Sequence, residues 1–365
     1  MKNRLLPATL LGGLILGLWI APGLRSDPSA RESDLPAFSE ALADLSERVL
    51  RAVVHIEVVR TVSGEEARPR FPNPFAPPEP DDSLGDPGST RREVGFGSGF
   101  VLDAIQGYVV TNQHVVEDLG SRVKVTLHDG RRTTGDVLAV DPATDLAVVK
   151  IPAGFARAQL AWGDSDALRP GNLVLAVGNP YGLTGTTSLG VVSGLGRTPL
   201  RQVRYQDYLQ FDAYIDRGSS GGPLLDMDGR VVGINTAIFG TAWRGVGYAA
   251  PSELAQRIVA ELISHKQVRR GYLGVEGKDV TARYAEQVDL PRPYGGKITS
   301  VKADTPAGRA GLEVGDVILA VDGKEITSWE NLKVRISSLS PGAQVVLRIW
   351  RDGVPLTKKL VLGEL

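Results

Sequence analysis

The chain contains no cysteine, and this absence removes two classes of structure. Without thiols there is neither a disulfide framework nor a thiolate metal site. Histidine is scarce too: four scattered residues include no His-x-x-x-His pair of the kind that binds catalytic zinc, so we predict no metal site. An excess of charge is also missing, because 41 basic and 42 acidic residues leave a net charge of −1. No basic patch indicates a nucleic-acid partner.

Glycine and proline, by contrast, are abundant. The 43 glycines and 23 prolines of this 365-residue chain separate many short runs of β-branched residues, which is typical of β-barrels. A hydrophobic content of 42% provides core material for two or three domains. The glycine-rich stretch at 95–100 does not predict a nucleotide site, because a strand and not a helix follows it. We predict no cofactor, and we attribute these glycines to close strand approach.

One serine is distinguished by its neighbours. Ser220 lies in Asp-Arg-Gly-Ser-Ser-Gly-Gly-Pro-Leu at 216–224, where glycines permit tight turns. In such a turn the N–H groups of Gly218 and Ser220 can both point at a developing oxyanion. The pattern predicts a serine nucleophile, whereas a bare Ser-Gly-Gly is more commonly a surface turn.

A serine nucleophile needs a base, and the base needs a third group that fixes its tautomer. His114, in Thr-Asn-Gln-His-Val-Val at 111–116, supplies an imidazole. Asp145, which begins an apolar run, supplies a carboxylate. Asp141 is the competing carboxylate, and the proline that follows it favours a turn there. The order His, Asp, Ser is that of the chymotrypsin-type triad.

These motifs resemble the HtrA (Deg) family of trypsin-like serine proteases, in particular its membrane-anchored DegS-type members. The likeness extends over nearly all of the chain beyond about the first 40 residues. It includes Gly-Ser-Gly-Phe at 97–100, Gly-Asn-Pro-Tyr at 178–181 and Gly-Ile-Asn-Thr at 233–236. It implies a mainly β, chymotrypsin-like double β-barrel at residues 38–266 and assembly into a homotrimer. Family members usually have Asn before the nucleophile, where this chain has Ser219.

The C-terminal part, residues 267–365, resembles a single PDZ domain. Gly-Tyr-Leu-Gly-Val at 271–275 matches the carboxylate-binding loop of such domains. The resemblance implies that C-terminal peptides add as a strand while the N–H groups of Tyr272, Leu273 and Gly274 bind the terminal carboxylate. The alternative is a small β-rich domain used only for packing or oligomerisation.

The N-terminal segment predicts where in the cell the protein is located. Residues 5–24 are uncharged and largely apolar, and a helix of this length spans about 30 Å. We therefore expect a signal anchor at residues 1–25 and a linker at 26–37. This gives a single-pass inner-membrane protein with its protease and PDZ domains in the periplasm. Cleavage as a signal peptide, which would leave a soluble periplasmic protein, is the alternative.

The family pattern also implies specificity and regulation. Ile215, Thr236 and Ile238 would form the S1 pocket that receives the residue before the cleaved bond. They predict cleavage after small or branched aliphatic residues. An inward Asp216 would instead favour basic residues. Arg197, in the segment 196–206, is the expected switch residue through which peptide binding activates the protease.

The sequence thus predicts a serine endopeptidase of the bacterial cell envelope. Its substrates would be unfolded, membrane-associated or regulatory proteins, in the envelope stress response and protein quality control. C-terminal peptides at the PDZ domain would activate it. A catalytically silent, membrane-anchored peptide-binding scaffold or chaperone on the same fold is the alternative.

Overall fold

The structure, a computed structural model, describes residues 28–63, 90–116, 121–179, 185–198, 203–216, 218–238 and 245–365. The predicted membrane anchor at residues 1–25 lies outside these ranges. Within them, no helix has the length and apolarity that a bilayer crossing requires.

The chain divides into two compact units, Met1–Asp44 and Leu45–Leu365. The described part of the first unit is helical, because helix α1 is Pro28–Leu50. Proline suits the first position of a helix, where its missing N–H is not needed. Residues 28–37, which the sequence analysis assigned to a linker, therefore belong to a helix, although Pro36 removes one backbone hydrogen bond inside it.

The second unit begins with a closed, six-stranded antiparallel barrel in the order β1-β2-β3-β6-β5-β4. Burial alternates along its strands, since one face of each strand packs inside the barrel. Valine and isoleucine fill this interior. The strands are β1 Val53–Ser63, β2 Thr90–Asp103, β3 Tyr108–Asn112, β4 Arg122–Leu127, β5 Arg132–Asp141 and β6 Leu146–Lys150; the short helix α2, Gln113–Val116, follows β3.

A second closed antiparallel barrel follows, in the order β10-β11-β12-β9-β8-β7. Its own apolar core includes Phe211 and Leu224, both completely buried. The strands are β7 Leu173–Gly178, β8 Thr186–Arg197, β9 Tyr208–Phe211, β10 Pro223–Leu225, β11 Val231–Ile238 and β12 Gly247–Pro251. The two barrels confirm the mainly β architecture predicted for this part of the chain.

Helix α3, Ser252–His265, leads out of the second barrel and ends at Lys266, whose φ of 63° terminates the helix. The C-terminal module that follows has a sheet in the order β14-β15-β16-β18-β19, with β17 paired to β16 and β13 paired to β20. Its elements are β13 Gly271–Tyr272, β14 Val275–Asp279, α4 Ala282–Gln287, β15 Gly296–Val301, α5 Pro306–Arg309, β16 Val317–Val321, β17 Lys324–Glu325, α6 Trp329–Ser337, β18 Gln344–Arg351, β19 Val354–Val361 and β20 Gly363–Glu364. The predicted boundary at residues 266 and 267 stays a prediction.

Candidate active site

The loop that carries Ser220 precedes β10 and is clamped by a strand of the first barrel. The backbone N–H of Ser98, in β2, donates to the Ser220 carbonyl at 2.8 Å. The Ser98 hydroxyl donates to the Gly218 carbonyl at 2.5 Å and accepts the Asn179 N–H at 2.7 Å. One buried serine of the first barrel therefore fixes both ends of the tripeptide that contains the predicted nucleophile.

This contact explains two of the glycines. Gly221 has a φ of 83°, and a Cβ there would lie 2.2 Å from the Ser98 carbonyl oxygen and from Thr111 Oγ1. A Cβ on Gly97 would lie 2.7 Å from Val115 and 3.2 Å from the Ser220 carbonyl oxygen. Only glycine permits this close approach, because a side chain at either position would push the barrels apart.

The amide groups of the loop fall into two sets. The first set donates hydrogen bonds within the protein: Ser219 N to Asp216 O at 2.8 Å, Gly221 N to Asn235 O at 2.8 Å and Gly222 N to Ser219 O at 3.0 Å. The N–H groups of Gly218 and Ser220 have no acceptor among the described residues. Two adjacent free donors beside a serine are what the stabilisation of an oxyanion requires.

His114 and Asp145 are directly bonded. His114 Nδ1 lies 2.7 Å from Asp145 Oδ2, and the backbone N–H of His114 donates to Asp145 Oδ1 at 2.9 Å. Asp145 is buried and has a φ of 60°, a left-handed conformation that Asp tolerates better than most residues. Its carbonyl accepts Asn112 Nδ2 at 2.9 Å and the Gln113 N–H at 3.1 Å, which holds this conformation in place.

Thr236 contacts both Ser220 and Asn112, which itself contacts the Asp145 carbonyl. The Ser220 hydroxyl donates to the Thr236 carbonyl over a long 3.4 Å, and Asn112 Nδ2 donates to Thr236 Oγ1 at 3.3 Å. The structure therefore brings His114 and Asp145 into contact, and Thr236 and Asn112 connect Ser220 to the backbone of Asp145.

Asp141, the competing carboxylate, faces a different partner. It forms a buried ion pair with Arg270 and accepts the Thr144 hydroxyl at 2.5 Å. The side chains of Asp141 and Arg270 are only 7% and 11% exposed, so removal of either leaves a charge buried without its partner. Asp141 thus attaches the segment between α3 and β13 to the turn that carries Asp145.

The residues predicted for the S1 pocket are apolar or buried where the structure describes them. Ile215 and Thr236 are each 4% exposed. Ile238 is the last residue of β11, and its side chain lies outside the described part of the structure. The Asp216 carboxylate accepts the Tyr214 hydroxyl at 3.2 Å. This contact satisfies Asp216 locally.

Tyr208 is a residue near the site that the sequence analysis missed. It begins β9 and is 1% exposed. Burial and the negative charge of Asp145 both raise the pKa of its phenol. Its hydroxyl has no hydrogen-bond partner in the described ranges. Nothing in the local sequence marks Tyr208, because its position depends on the pairing of β9 with β8 and β12.

The predicted carboxylate-binding loop has the donors that such a site needs. The carbonyls of Leu273 and Gly274 accept the N–H groups of Ala307 at 2.9 Å and Lys302 at 3.0 Å, on the side of the module's core. The N–H groups of Leu273 and Gly274 have no acceptor in the described part of the chain. Tyr272, the third predicted donor, belongs to strand β13.

A cavity of about 130 Å³ lies between this loop and helix α6. Its apolar lining includes Val275, Trp329, Leu332 and Ile336. Two residues of the protease domain, Arg204 and Tyr205, also line it. The candidate peptide groove is thus shared between the two domains.

Arg204 and Tyr205 also contact the turn that carries Asp145. Both of their backbone N–H groups donate to the Ala143 carbonyl, at 3.1 and 2.9 Å. The Arg270 guanidinium lies 4.9 Å from the centre of the Tyr205 ring. Arg197, the predicted switch residue, is exposed, donates to Gln210 Oε1 at 3.0 Å and does not line the cavity. The sequence analysis chose the segment that includes Arg204 and Tyr205 but did not single them out.

Asp207 follows this segment and contacts helix α6. Its carboxylate accepts Asn331 Nδ2 at 3.3 Å. Burial raises its pKa to about 6, and the nearby Asp166 and Glu330 add to the shift. Lys324 pairs with Asp166 and Lys333 pairs with Glu330, and no ion pair to Asp207 occurs among the described contacts.

The raised pKa of Asp207 determines the direction in which the stability of the fold changes with pH. Because its pKa is higher in the folded protein, the folded state takes up a proton that the unfolded state lacks between about pH 4 and 6. Its ionisation therefore destabilises the fold as pH rises through this window, by up to about 3 kcal/mol.

We expect Asp207→Asn, which mimics the protonated acid, to be more stable than the wild type at pH 7. The difference should shrink as pH falls toward 4. Urea unfolding of both proteins across this range measures it. The prediction fails if the free energies of unfolding of the two proteins change in parallel with pH.

Models of two domain families match the chain. The trypsin-like peptidase domain matches residues 97–234, and the PDZ domain matches residues 271–362.

Curated relatives extend the match. The chain is 34% identical to the periplasmic serine endoprotease DegP of Salmonella typhimurium, over 100% of this chain and 81% of that protein. It is 36% identical to the periplasmic pH-dependent serine endoprotease DegQ of Escherichia coli, over 91% and 71% of the two chains. It is 44% identical to a probable DegP-like endoprotease of Chlamydia muridarum over 76% of this chain, but spans only 56% of that relative.

A solved structure agrees in fold. The HtrA-type protease AlgW with tripeptide superposes with a TM-score of 0.66 at 34% identity, over 88% of this chain and 97% of that one.

Proposed function

The chain belongs to the HtrA family of trypsin-like serine proteases, and from this premise we propose that it is a serine endopeptidase with Ser220 as nucleophile, His114 as base and Asp145 as orienting acid. One observation carries the proposal. The N–H groups of Gly218 and Ser220 have no acceptor in the described residues, and His114 Nδ1 lies 2.7 Å from Asp145 Oδ2, in a pair that Asn112 and Thr236 connect to Ser220.

The contacts support a specific division of roles. Asp145 accepts only, so the His114 proton resides on Nδ1 and the lone pair on Nε2 is left to take the Ser220 proton. The hydroxyl oxygen then attacks the scissile carbonyl carbon. The new oxyanion accepts hydrogen bonds from the N–H groups of Gly218 and Ser220. Each such donor typically stabilises the transition state by about 3 kcal/mol. His114 returns the proton to the leaving amine.

For specificity, we propose cleavage after small or branched aliphatic residues, at an S1 pocket of Ile215, Thr236 and Ile238. The burial of Ile215 and the local bond between Asp216 and Tyr214 support this choice. Arg at the cleaved position of a peptide panel, compared with Val and Ala, tests whether Asp216 binds a basic side chain.

For regulation, we propose that C-terminal peptides activate the protease by binding the groove beside residues 272–274. Arg204 and Tyr205 line this groove and also bind the turn that carries Asp145. A peptide that contacts them therefore acts on the position of Asp145 directly. A ligand shifts such an equilibrium only by its difference in affinity for the two states.

The biological setting is likewise proposed. Relatives are named periplasmic endoproteases, which supports action in the periplasm. We propose unfolded or membrane-associated proteins as its substrates. We propose a DegS-type role in the envelope stress response and protein quality control, a single-pass anchor at residues 1–25 and a homotrimer. Detection of the N-terminal segment in the membrane pellet after fractionation would support the anchor. A soluble, shortened chain would exclude it.

Labelling by a fluorophosphonate probe tests the enzymatic assignment against a silent scaffold. The probe forms a stable adduct only with an activated serine. We expect labelling of the full chain that is lost in Ser220→Ala. A properly folded wild-type protein that does not react would favour the scaffold.

We expect a decapeptide with a free C-terminal carboxylate to raise the rate of casein cleavage, and the same peptide with a C-terminal amide to be much weaker. The loss follows because an amide provides no anion for the donors of Leu273 and Gly274. Arg197→Ala and Tyr205→Ala, assayed with the free-acid peptide, compare the two candidate relay residues. If Arg197→Ala is activated like the wild type, the role predicted for Arg197 is wrong.

A further inference from the structure

A small pocket on the other face of the C-terminal sheet has an unusual charge. Its lining includes Lys278, Arg283 and Lys297, around a volume of about 170 Å³. Within the described ranges, none of these three side chains forms an ion pair. Three cations without counter-ions at one concave surface favour an anionic ligand.

The strands place the two lysines side by side. Lys278 of β14 is opposite Lys297 of β15, and like charges in such a pair repel. The Lys297 ammonium lies 3.1 Å from the centre of the Tyr284 ring, which attracts a cation but carries no net charge. Burial and the charge of Lys278 lower the pKa of Lys297. An anion at this place would relieve the repulsion.

The carboxylate that also lines the pocket does not supply this anion. Asp279 Oδ1 accepts the backbone N–H of Trp329, the first residue of helix α6, at 2.7 Å. No ion pair joins Asp279 to Lys278, Arg283 or Lys297 among the described contacts. The positive charge of the pocket is therefore open to an external group.

The pocket lies beside the candidate peptide groove, so a bound peptide can supply the anionic group. Strand β14 is an edge of its sheet, and its free side faces the groove beside helix α6. A Cβ on Gly277 would lie 2.4 Å from the Trp329 ring, so Gly277 faces α6. Since side chains alternate along a strand, Lys278 faces the opposite side, which carries the pocket.

A peptide added to β14 would run antiparallel to it, with its terminal carboxylate at Gly274. Alternate side chains of that peptide would then point to the pocket side of the sheet. At about 3.3 Å per residue, the peptide residue opposite Lys278 lies about four to six positions before the carboxylate.

We propose that Lys278, Arg283 and Lys297 form a subsite for an acidic side chain, about four to six residues upstream of the C-terminus of the bound peptide. The subsite rests on the proposed function, because it requires a peptide in the groove. It makes the protein select activating C-termini by upstream charge as well as by their last residues.

The test uses the full chain with Ser220→Ala, so that peptides bind without cleavage. Fluorescent decapeptides share their last three residues and carry Glu, Gln or Lys at the fourth to sixth positions from the end. At about 50 mM salt we expect Glu to tighten binding about two- to fivefold per residue over Gln, and Lys to weaken it. The preference should disappear at about 1 M salt.

Two variants locate the effect. Lys278→Gln and Lys297→Gln should lose the preference for Glu while binding the Gln peptide like the parent. Lys359→Gln, on β19 at the far edge of the same sheet, is the matched control and should retain the preference. Retention of the preference in both pocket variants would overturn the subsite.

Two other results would also overturn the subsite. The first would leave the proposed peptide groove intact, and the second would refute the groove as well. Equal affinity for Glu and Gln peptides, together with binding of inorganic phosphate near Lys297, would assign the pocket to a free anion and leave the groove intact. Failure of every peptide to bind would instead refute the groove, and the proposed activation with it.

Discussion

Replacement of Ser220 by alanine is expected to lower kcat for casein or peptide cleavage by about 10⁴- to 10⁶-fold. The substitution removes the attacking oxygen, and the remaining donors of Gly218 and Ser220 provide only residual catalysis. The fold should persist, since among the described residues the Ser220 hydroxyl makes a single hydrogen bond, of 3.4 Å, to the Thr236 carbonyl.

Ser219→Ala is the matched control, one position away in the same loop. Its hydroxyl accepts only the Asp216 N–H, at 3.3 Å, so we expect activity within about threefold of the wild type. Both variants are to be compared at equal stability by thermal melting. Residual cleavage above about 1% in a contaminant-free Ser220→Ala preparation would place the nucleophile elsewhere.

Asp145→Asn is expected to lower kcat by about 10⁴-fold. Asn keeps the shape of Asp and tolerates the left-handed conformation that Asp145 adopts at φ 60°. Its oxygen can still accept the His114 backbone N–H. Its NH₂ group then faces His114 Nδ1 and places the imidazole proton on Nε2, the wrong nitrogen for a base.

Asp141→Asn is the variant to compare with Asp145→Asn, because the two aspartates lie in one turn. Its loss breaks the buried pair with Arg270, so we expect a decrease in the free energy of unfolding of up to about 3 kcal/mol. Steady-state kinetics and urea unfolding of both variants separate the roles. A large loss of kcat in a fully stable Asp141→Asn, with Asp145→Asn active, would exchange the assignments.

Local patterns favoured β-barrels and singled out the candidate catalytic residues, whereas the number of barrels came from the family resemblance. The glycines around Ser220 and the β-branched runs act over a few residues, where steric rules dominate. The turn at Asp322-Gly323 between β16 and β17 and helix α3 also follow from signals within a few residues, a turn dipeptide and a 3.6-residue apolar period.

Other features were not predicted. Residues 28–37 were assigned to a linker from their polarity, although the structure places them in α1. Arg204, Tyr205 and Tyr208 were missed because their significance arises from the packing of β9 and the C-terminal module against the turn that carries Asp145.

The sequence by itself determined which chemical groups this protein has available: one serine among glycines, an imidazole, two candidate carboxylates and no thiol. Only the tertiary structure decided between the carboxylates, because Asp145 reaches His114 while Asp141 is bound by Arg270. The physical reason is the separation along the chain over which each kind of interaction acts. Backbone and side-chain preferences act between neighbours in the chain, whereas hydrogen bonds and burial depend on partners that only folding brings within about 3 Å.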